Sequence, residues 1–181
     1  KRMILASGSP RRKELLQMLE VPFEVLVSDT KEVITKNEPA EVTKELSYQK
    51  AMAVAEQVEE GIIIGADTVV SIDGKILGKP ADTEEAREMI YKLQGKSHMV
   101  YTGVTVIAKS GDMVSASSFA EGTKVNVAPM TENEIEAYIS TDEPYDIQGL
   151  FGKFIEGIKG DYFNVVGLPV HRLYEELKKF D

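Results

Sequence analysis

Met3-Ile4-Leu5-Ala6-Ser7-Gly8-Ser9-Pro10-Arg11-Arg12-Lys13-Glu14-Leu15-Leu16 runs from a short apolar stretch, through small residues, into a segment with helical spacing. Ser9 suits the N-cap, where its hydroxyl can accept a bond from an orphan N–H. Pro10 suits the first helical position, which needs no N–H and a φ that proline already has. Leu15, Leu16 and Leu19 recur at helical spacing and predict a face held against a sheet. The unpaired N–H groups and positive dipole end of such a helix start favour an anion. Arg11 and Arg12 add planar forks shaped for phosphate oxygens. The expectation is a strand-to-helix turn that binds phosphate. The plain alternative is a capped helix whose arginines are solvated.

Working outward, Phe23-Glu24-Val25-Leu26-Val27 alternates as a strand does, and residues 39–58 read as a long helix opened by Pro39 and closed near Gly61. Ile62-Ile63-Ile64-Gly65-Ala66 is an apolar run of the buried-strand type, continued by residues 69–72. Asp73-Gly74 predicts a hairpin returning through Lys75-Ile76-Leu77-Gly78-Lys79-Pro80. Asp82 or Thr83 can cap a helix to about Gln94, stopped by Gly95. Residues 98–108 and a second run through Val127 read as strands joined at Ser110-Gly111. Thr131 opens a helix through Tyr138, and Pro169 opens a last one with Leu173 and Leu177 on its apolar face. Hairpins and crossovers together predict an α/β fold with a mixed sheet.

At 181 residues the chain fits one domain, residues 1–181, with room for two lobes. It is 43% hydrophobic and 28% charged, so it can bury a core. Lys and Arg number 21 against 30 Asp and Glu, a net charge of −9 that argues against binding nucleic acid or an anionic membrane. That balance leaves room for a small phosphorylated ligand in a local basic pocket. The absence of Cys excludes a disulfide framework, a thiolate nucleophile and a Cys-ligated zinc, and agrees with a reducing cytosol and a cytoplasmic location. No apolar run reaches membrane-spanning length, and the start of the chain has no signal-peptide core.

Asp67 is the first catalytic candidate, because a carboxylate set in a buried strand needs a partner, a metal or a chemical task. A strand-end Asp capping a turn is the alternative. Glu32, just past a strand end, reads by itself as a solvated loop acid. Lys50 lies on the apolar stripe of Leu46, Ala53 and Val54, where it either snorkels or reaches a ligand at the sheet edge. Lys79 stands between Gly78 and Pro80 in a restricted turn. Two acids with Arg11, Arg12, Lys50 and Lys79 suit phosphoryl or nucleotidyl chemistry, in which cations neutralise phosphates and acids hold Mg²⁺ and orient water.

Ala6-Ser7-Gly8-Ser9-Pro10-Arg11-Arg12, Gly65-Ala66-Asp67-Thr68-Val69-Val70, Leu77-Gly78-Lys79-Pro80 and Asn164-Val165-Val166-Gly167-Leu168-Pro169 stand in this order. With them the chain closely resembles the Maf family of nucleoside-triphosphate pyrophosphatases, also called septum-formation inhibitors. The resemblance implies a fold like that of inosine-triphosphate pyrophosphatases, with a long twisted mixed sheet, flanking helices and two lobes around a cleft. It also implies hydrolysis of a nucleoside triphosphate to monophosphate and pyrophosphate with a divalent cation, Mg²⁺ or Mn²⁺, and a homodimer. By the same resemblance Asp67 is the proton acceptor, Glu32 the acid after the second strand, Lys50 the helix lysine and Lys79 the lysine of the Gly-Lys-Pro turn. Glu32 and Asp67 are then the metal-binding pair, with Ser9 and Arg12 among the substrate-binding residues. Arg11, Thr68 and Gln148 resemble the branch acting on dTTP and UTP rather than that acting on 7-methyl-GTP. The Gln148 side chain offers a donor and an acceptor, which can match the imide edge of uracil or thymine.

In one place the chain departs from the family. Glu143-Pro144-Tyr145-Asp146 meets Ile147-Gln148-Gly149 directly, where the family carries Lys-Ala-Gly-Ala-Tyr-Gly, a glycine-containing segment of about six residues. Either that loop, with its lysine, is lost here or its residues are missing from the sequence; the absence of an initiator Met favours the second. Two other activities stay open at this point. A nucleotidyltransferase uses a similar small-residue loop and needs an acceptor. A nucleotide-sensing regulator of cell division would bind without turnover.

Overall fold

The computed structural model describes residues 2–141 and 149–180. The short strand β1 (Met3–Leu5) leads into helix α1 (Pro10–Leu16), and β2 (Glu24–Val25) follows. Helix α2 (Pro39–Ala55) precedes the long strand β3 (Glu60–Ile72), which turns into β4 (Lys75–Leu77). After helix α3 (Thr83–Leu93) come two long strands, β5 (Ser97–Ser110) and β6 (Met113–Val127), then α4 (Glu132–Ile139). A short 3-10 turn (Leu150–Phe154), β7 (Ile155–Lys159), α5 (Tyr162–Val166) and α6 (Val170–Leu177) close the chain. The sheet order is β2-β1-β3-β5-β6-β7, with β4 also on β3; β2 and β3 both run parallel to β1, and the other pairs are antiparallel. This is the mixed α/β sheet that the sequence pattern predicts.

Alternation along the strands assigns the two faces. Ile62, Ile64 and Ala66 of β3 and Val104 and Val106 of β5 pack with Leu15 and Leu16 of α1 and Leu173 of α6. Their neighbours Ile63 and Ile107 pack on the opposite face with Ala51, Val54 and Ala55 of α2. A third cluster, at the other end of the sheet, joins Val100, Val125 and Val127 to Ile90 of α3 and Ile135 and Tyr138 of α4. There Phe151 and Phe154 meet Tyr138 edge-on, with ring centroids 5.3 and 6.3 Å away. A period of two along β3 therefore sends Asp67 towards α2 and Thr68 towards α1.

Several expected boundaries shift. The strand expected over Phe23–Val27 contracts to β2, an exposed edge whose one partner among the described residues, β1, ends its ladder at Leu5. The helix expected over 39–58 ends at Ala55, and a turn with Val58 N–H bonded to the Ala55 carbonyl leads into β3. The apolar run at 62–66 and its continuation at 69–72 are one strand through Asp67 and Thr68, because β5 pairs with every residue from Ile62 to Ser71. Strand β7 and helix α5 were not expected from the sequence. β7 is five residues long with a glycine inside, so it carries little periodic signal.

Helix α2 lies very close to the sheet. A Cβ built on Gly103 would sit 2.3 Å from the Thr43 carbonyl atoms, and one on Gly65 would sit 2.5 Å from the Ser47 carbonyl oxygen and 2.9 Å from the Ala51 Cβ. Only glycine permits that approach. Beside it the Ser47 hydroxyl bonds Thr105 Oγ1 at 2.8 Å, which bonds Ser118 Oγ at 2.7 Å. Gly103→Ala must push α2 away from the sheet and is expected to cost roughly 3 kcal/mol, at the upper end for overpacking; the urea midpoint reads this, and an unchanged midpoint would refute the packing argument.

His98 of β5 is buried, and its Nδ1 has no hydrogen-bond partner among the described residues. Burial pushes its pKa down to about 4. Between that value and about 6.5 the unfolded chain binds a proton that the native state refuses. Stability therefore falls as pH drops through this window, by roughly 3 kcal/mol in all. His98→Leu should flatten this part of a stability-against-pH curve; a slope equal to that of the unsubstituted protein would show that His98 is not its source.

Candidate active site

One edge of β3 is shared by two partners. β1 pairs with it up to Leu5↔Ile64, and β4 pairs with it from Val70↔Leu77 onward. Among the described residues, 65–69 have no strand partner on that edge. The chain leaves β1 at this gap and turns into α1. The turn is capped as the sequence predicts: Ser9 is extended, and its hydroxyl accepts the Arg12 N–H at 3.3 Å. Ser7 Oγ accepts the Ser9 N–H at 3.2 Å, so both serines serve the bend itself.

Arg12 reaches across the gap. Its Nε donates to the Gly167 carbonyl at 2.8 Å, Nη1 to Ser7 Oγ at 3.3 Å and Nη2 to Thr68 Oγ1 at 2.9 Å. Burial lowers its pKa, and the charge of Asp67 acts in the opposite sense. The directions of the hydroxyl bonds follow from counting protons. Thr102 Oγ1 lies 2.8 Å from Thr68 Oγ1 and donates to the Asn164 carbonyl at 3.0 Å. Its proton being used there, Thr68 must be the donor to Thr102. Thr68 therefore accepts from Arg12 and donates into the protein. A guanidinium has five N–H groups, so two on Arg12 remain for a ligand. Arg12, rather than Arg11, is the arginine that reaches Thr68; Arg11 is exposed on the first turn of α1.

On the other face, Lys50 of α2 donates from Nζ to Asp67 Oδ1 at 2.8 Å and lies 3.6 Å from Glu32 Oε1. The Asp67 side chain is 12% exposed, that of Lys50 30% and that of Glu32 50%, so the cluster grades from buried strand to solvent. Asp67 Oδ2 has no hydrogen-bond partner among the described residues. Lys50 thus does reach the sheet edge, and Glu32 is half-exposed but paired rather than a merely solvated acid. Lys79 is exposed just past β4, where the antiparallel run from Leu77 heads back along β3 towards Thr68. Gln148 and the junction at Asp146–Ile147 lie outside the described residues.

The Maf-like protein family model matches residues 2–180. The chain belongs to this family. A dTTP/UTP pyrophosphatase of Bacillus cytotoxicus is 51% identical over 188 aligned positions, covering 100% of this chain and 96% of that protein. One from Bacillus cereus is 47% identical over the same shares. Among solved structures, a nucleoside-triphosphatase (dITP/XTP pyrophosphatase) of Mycobacterium abscessus superposes with a TM-score of 0.52 at 12% identity, over 99% of this chain and 97% of that one. The Staphylococcus aureus Ham1 protein gives 0.52 at 15% identity, over 71% and 72%. At such identities these two likenesses concern the fold alone.

In this Maf-like protein Glu32 and Asp67 would offer a hard divalent cation oxygen donors of the right kind, with Glu32 Oε1 3.6 Å and Asp67 Oδ1 2.8 Å from Lys50 Nζ. Among the described residues no group of three or more His, Asp or Glu could hold a metal ion by itself. Two carboxylates with the remaining positions filled by phosphate oxygens and water is a pattern that suits Mg²⁺, so the residues fit the group. No helix among the described residues is long and apolar enough to cross a membrane.

Thr102, Asn164 and Ser7 take roles that the residue pattern alone does not assign. Asn164 is fully buried; its Nδ2 donates to the Val100 carbonyl at 3.2 Å and to Thr123 Oγ1 at 3.0 Å, bracing the end of α5 that carries Gly167. One signal was present: Thr102 is a polar break in the apolar alternation Val100, Val104, Val106. Thr68→Val leaves Arg12 Nη2 and Thr102 Oγ1 each short of a partner and should lower the urea-derived stability by about 1–3 kcal/mol. Thr68→Ser keeps the oxygen and should cost under about 1 kcal/mol. Equal stability of the two variants would break the hydroxyl chain.

Proposed function

We propose that this chain hydrolyses dTTP and UTP to the corresponding monophosphate and pyrophosphate. The observation that carries the reading is Asp67: a buried carboxylate with one oxygen held by Lys50 and the other open, at the gap in the β3 edge beside Arg12. The similarity of the whole chain to dTTP/UTP pyrophosphatases supports the choice of substrate. Arg11, Arg12, Lys50 and Lys79 bind the triphosphate and spread the charge that builds on it as the bond breaks. Asp67 Oδ2 orients a water molecule and takes its proton as the water oxygen bonds to the α-phosphorus. The bond from that phosphorus to the bridging oxygen breaks, and pyrophosphate leaves with the electron pair. Glu32 and Asp67 would hold Mg²⁺ or Mn²⁺, which supplies further charge neutralisation to the phosphates. Ser9 keeps the phosphate-facing turn in shape. Thr68 sets Arg12, and Gln148, with Arg11, belongs to the preference for pyrimidines. The active unit is one domain over residues 1–181, paired as a homodimer.

Pyrophosphate release without an acceptor, measured with Mg²⁺ or Mn²⁺ on dTTP, UTP, CTP, ATP, GTP, ITP and 7-methyl-GTP, tests the reading. Activity is expected to be highest on dTTP and UTP. A preference for 7-methyl-GTP overturns the assignment to the pyrimidine branch, and binding without turnover overturns hydrolysis. Asp67→Asn should reduce turnover by ~10²–10⁴-fold, the usual reach of general-base catalysis, with the fold kept. Turnover near that of the unsubstituted protein would remove Asp67 from the role.

A further inference from the structure

Residues 26–38 join β2 to α2 without regular secondary structure, and they carry Glu32. The segment runs antiparallel to α2 along its flank: Ser28 meets Gln57, Val33 meets Gln49, and Thr35 and Lys36 meet Glu45. Leu26 packs on the cluster under α2, but apolar burial does not hold the rest, since Val27, Val33 and Ile34 are each more than half exposed. The Lys50–Glu32 pair is exposed on the Glu32 side, and such a pair contributes at most about 1 kcal/mol. Ordering each residue of an irregular segment costs about 1–2 kcal/mol, so that pair does not fix the segment.

The polar clips do. Gln49 uses both ends of its amide on one residue: Oε1 accepts the Val33 N–H at 3.0 Å, and Nε2 donates to the Val33 carbonyl at 2.7 Å. This copies the pairing of a neighbouring strand and fixes the residue next to Glu32. One turn earlier on the helix, the Glu45 carboxylate accepts the Thr35 N–H at 3.0 Å, the Lys36 N–H at 3.3 Å and the Thr35 hydroxyl. Those bonds, the Thr35 hydroxyl first, hold the Glu45 carboxyl below its ordinary pKa. Glu45 and Gln49 stand four residues apart on one helix flank, and Lys50 follows directly, turned to the site.

We infer that Gln49 and Glu45 are positioning residues that hold the Glu32 carboxylate at Lys50. The inference rests on the function proposed above for Glu32. Gln49→Met keeps the length and removes both bonds. It should lower kcat on dTTP by about tenfold, change KM by less than about threefold, and leave Tm within a few degrees. Glu45→Gln should act in the same direction more weakly. In a double-mutant cycle with Glu32→Gln, Gln49→Met should cost less than about twofold further, because its effect passes through Glu32. Losses that multiply independently would overturn the inference. Amide hydrogen exchange gives a readout that needs no turnover. In Gln49→Met, exchange over residues 28–37 should rise at least about tenfold while α2 stays protected; unchanged exchange there overturns the inference. If the unsubstituted protein proved inert on every nucleotide, the proposed function would fall while hydrogen exchange still decided whether the clips hold the segment.

Discussion

The approach of the α2 backbone to β3 and β5 is the contact on which the site depends. Gly65 and Gly103 open the space into which the turns around Thr43 and Ser47 settle. The hydroxyls of Ser47, Thr105 and Ser118 then form a chain beside that contact, from the buried face of α2 out to the exposed Ser118. One helical turn beyond Ser47, that depth sets how far Lys50 extends over the strand. A helix a few ångströms further out would leave Lys50 snorkelling to solvent, and Asp67 would be a buried carboxylate without a counter-charge. The same helix carries Glu45 and Gln49 on its flank, so the depth of α2 also sets the height of the segment that brings Glu32.

The opposite face is arranged by hydrogen-bond counting. Arg12 is anchored from three directions, by the turn that opens α1, by β3 and by the loop that closes α5. Two of these oxygens are themselves held, since Ser7 Oγ also accepts the Ser9 N–H and Thr68 Oγ1 also donates to Thr102, so the guanidinium has few alternative orientations. This is pre-organisation in a concrete sense: the guanidinium is fixed before any ligand arrives. Gly167, at φ 140°, is part of it, since a residue with a side chain is strained in that backbone conformation, although its Cβ would only touch Arg12 at 3.7 Å. Consecutive residues of β3 thus serve opposite faces, Asp67 with the lysine and Thr68 with the arginine. Both lie within residues 65–69, which among the described residues have no strand partner on that edge of β3.

The charge distribution fits a phosphorylated small molecule better than a polymer. The chain as a whole carries −9, which repels extended polyanions. Against that background the cations around the gap are local. Arg12 is half-buried and Lys50 sits between two carboxylates, so neither contributes much to a long-range field. Their effect is felt at contact distance, in surroundings that screen charge less than water does.

What depended on local physics was legible in the sequence. Ser9 and Pro10 open α1 because one caps an N–H and the other needs none. Asp82 and Thr131 cap α3 and α4 for the same reason, and the apolar run at 62–66 marks a buried strand. The motifs that resemble the Maf family were also readable, because they are local strings of residues. Contacts between distant residues were not. Glu32 meets Lys50 and Lys50 meets Asp67 across 18 and 17 positions, while Arg12 finds Thr68 across 56 and Gly167 across 155. Residue spacing says which face of an element a side chain occupies but not what lies opposite. That is why Arg12 rather than Arg11 emerged as the partner of Thr68, and why Thr102, Gln49 and Glu45 had no apparent role beforehand. The sequence by itself determined most of the elements and the kind of chemistry. The tertiary structure decided which charges meet, because the depth of a helix on a sheet is set by atoms from both, packed together.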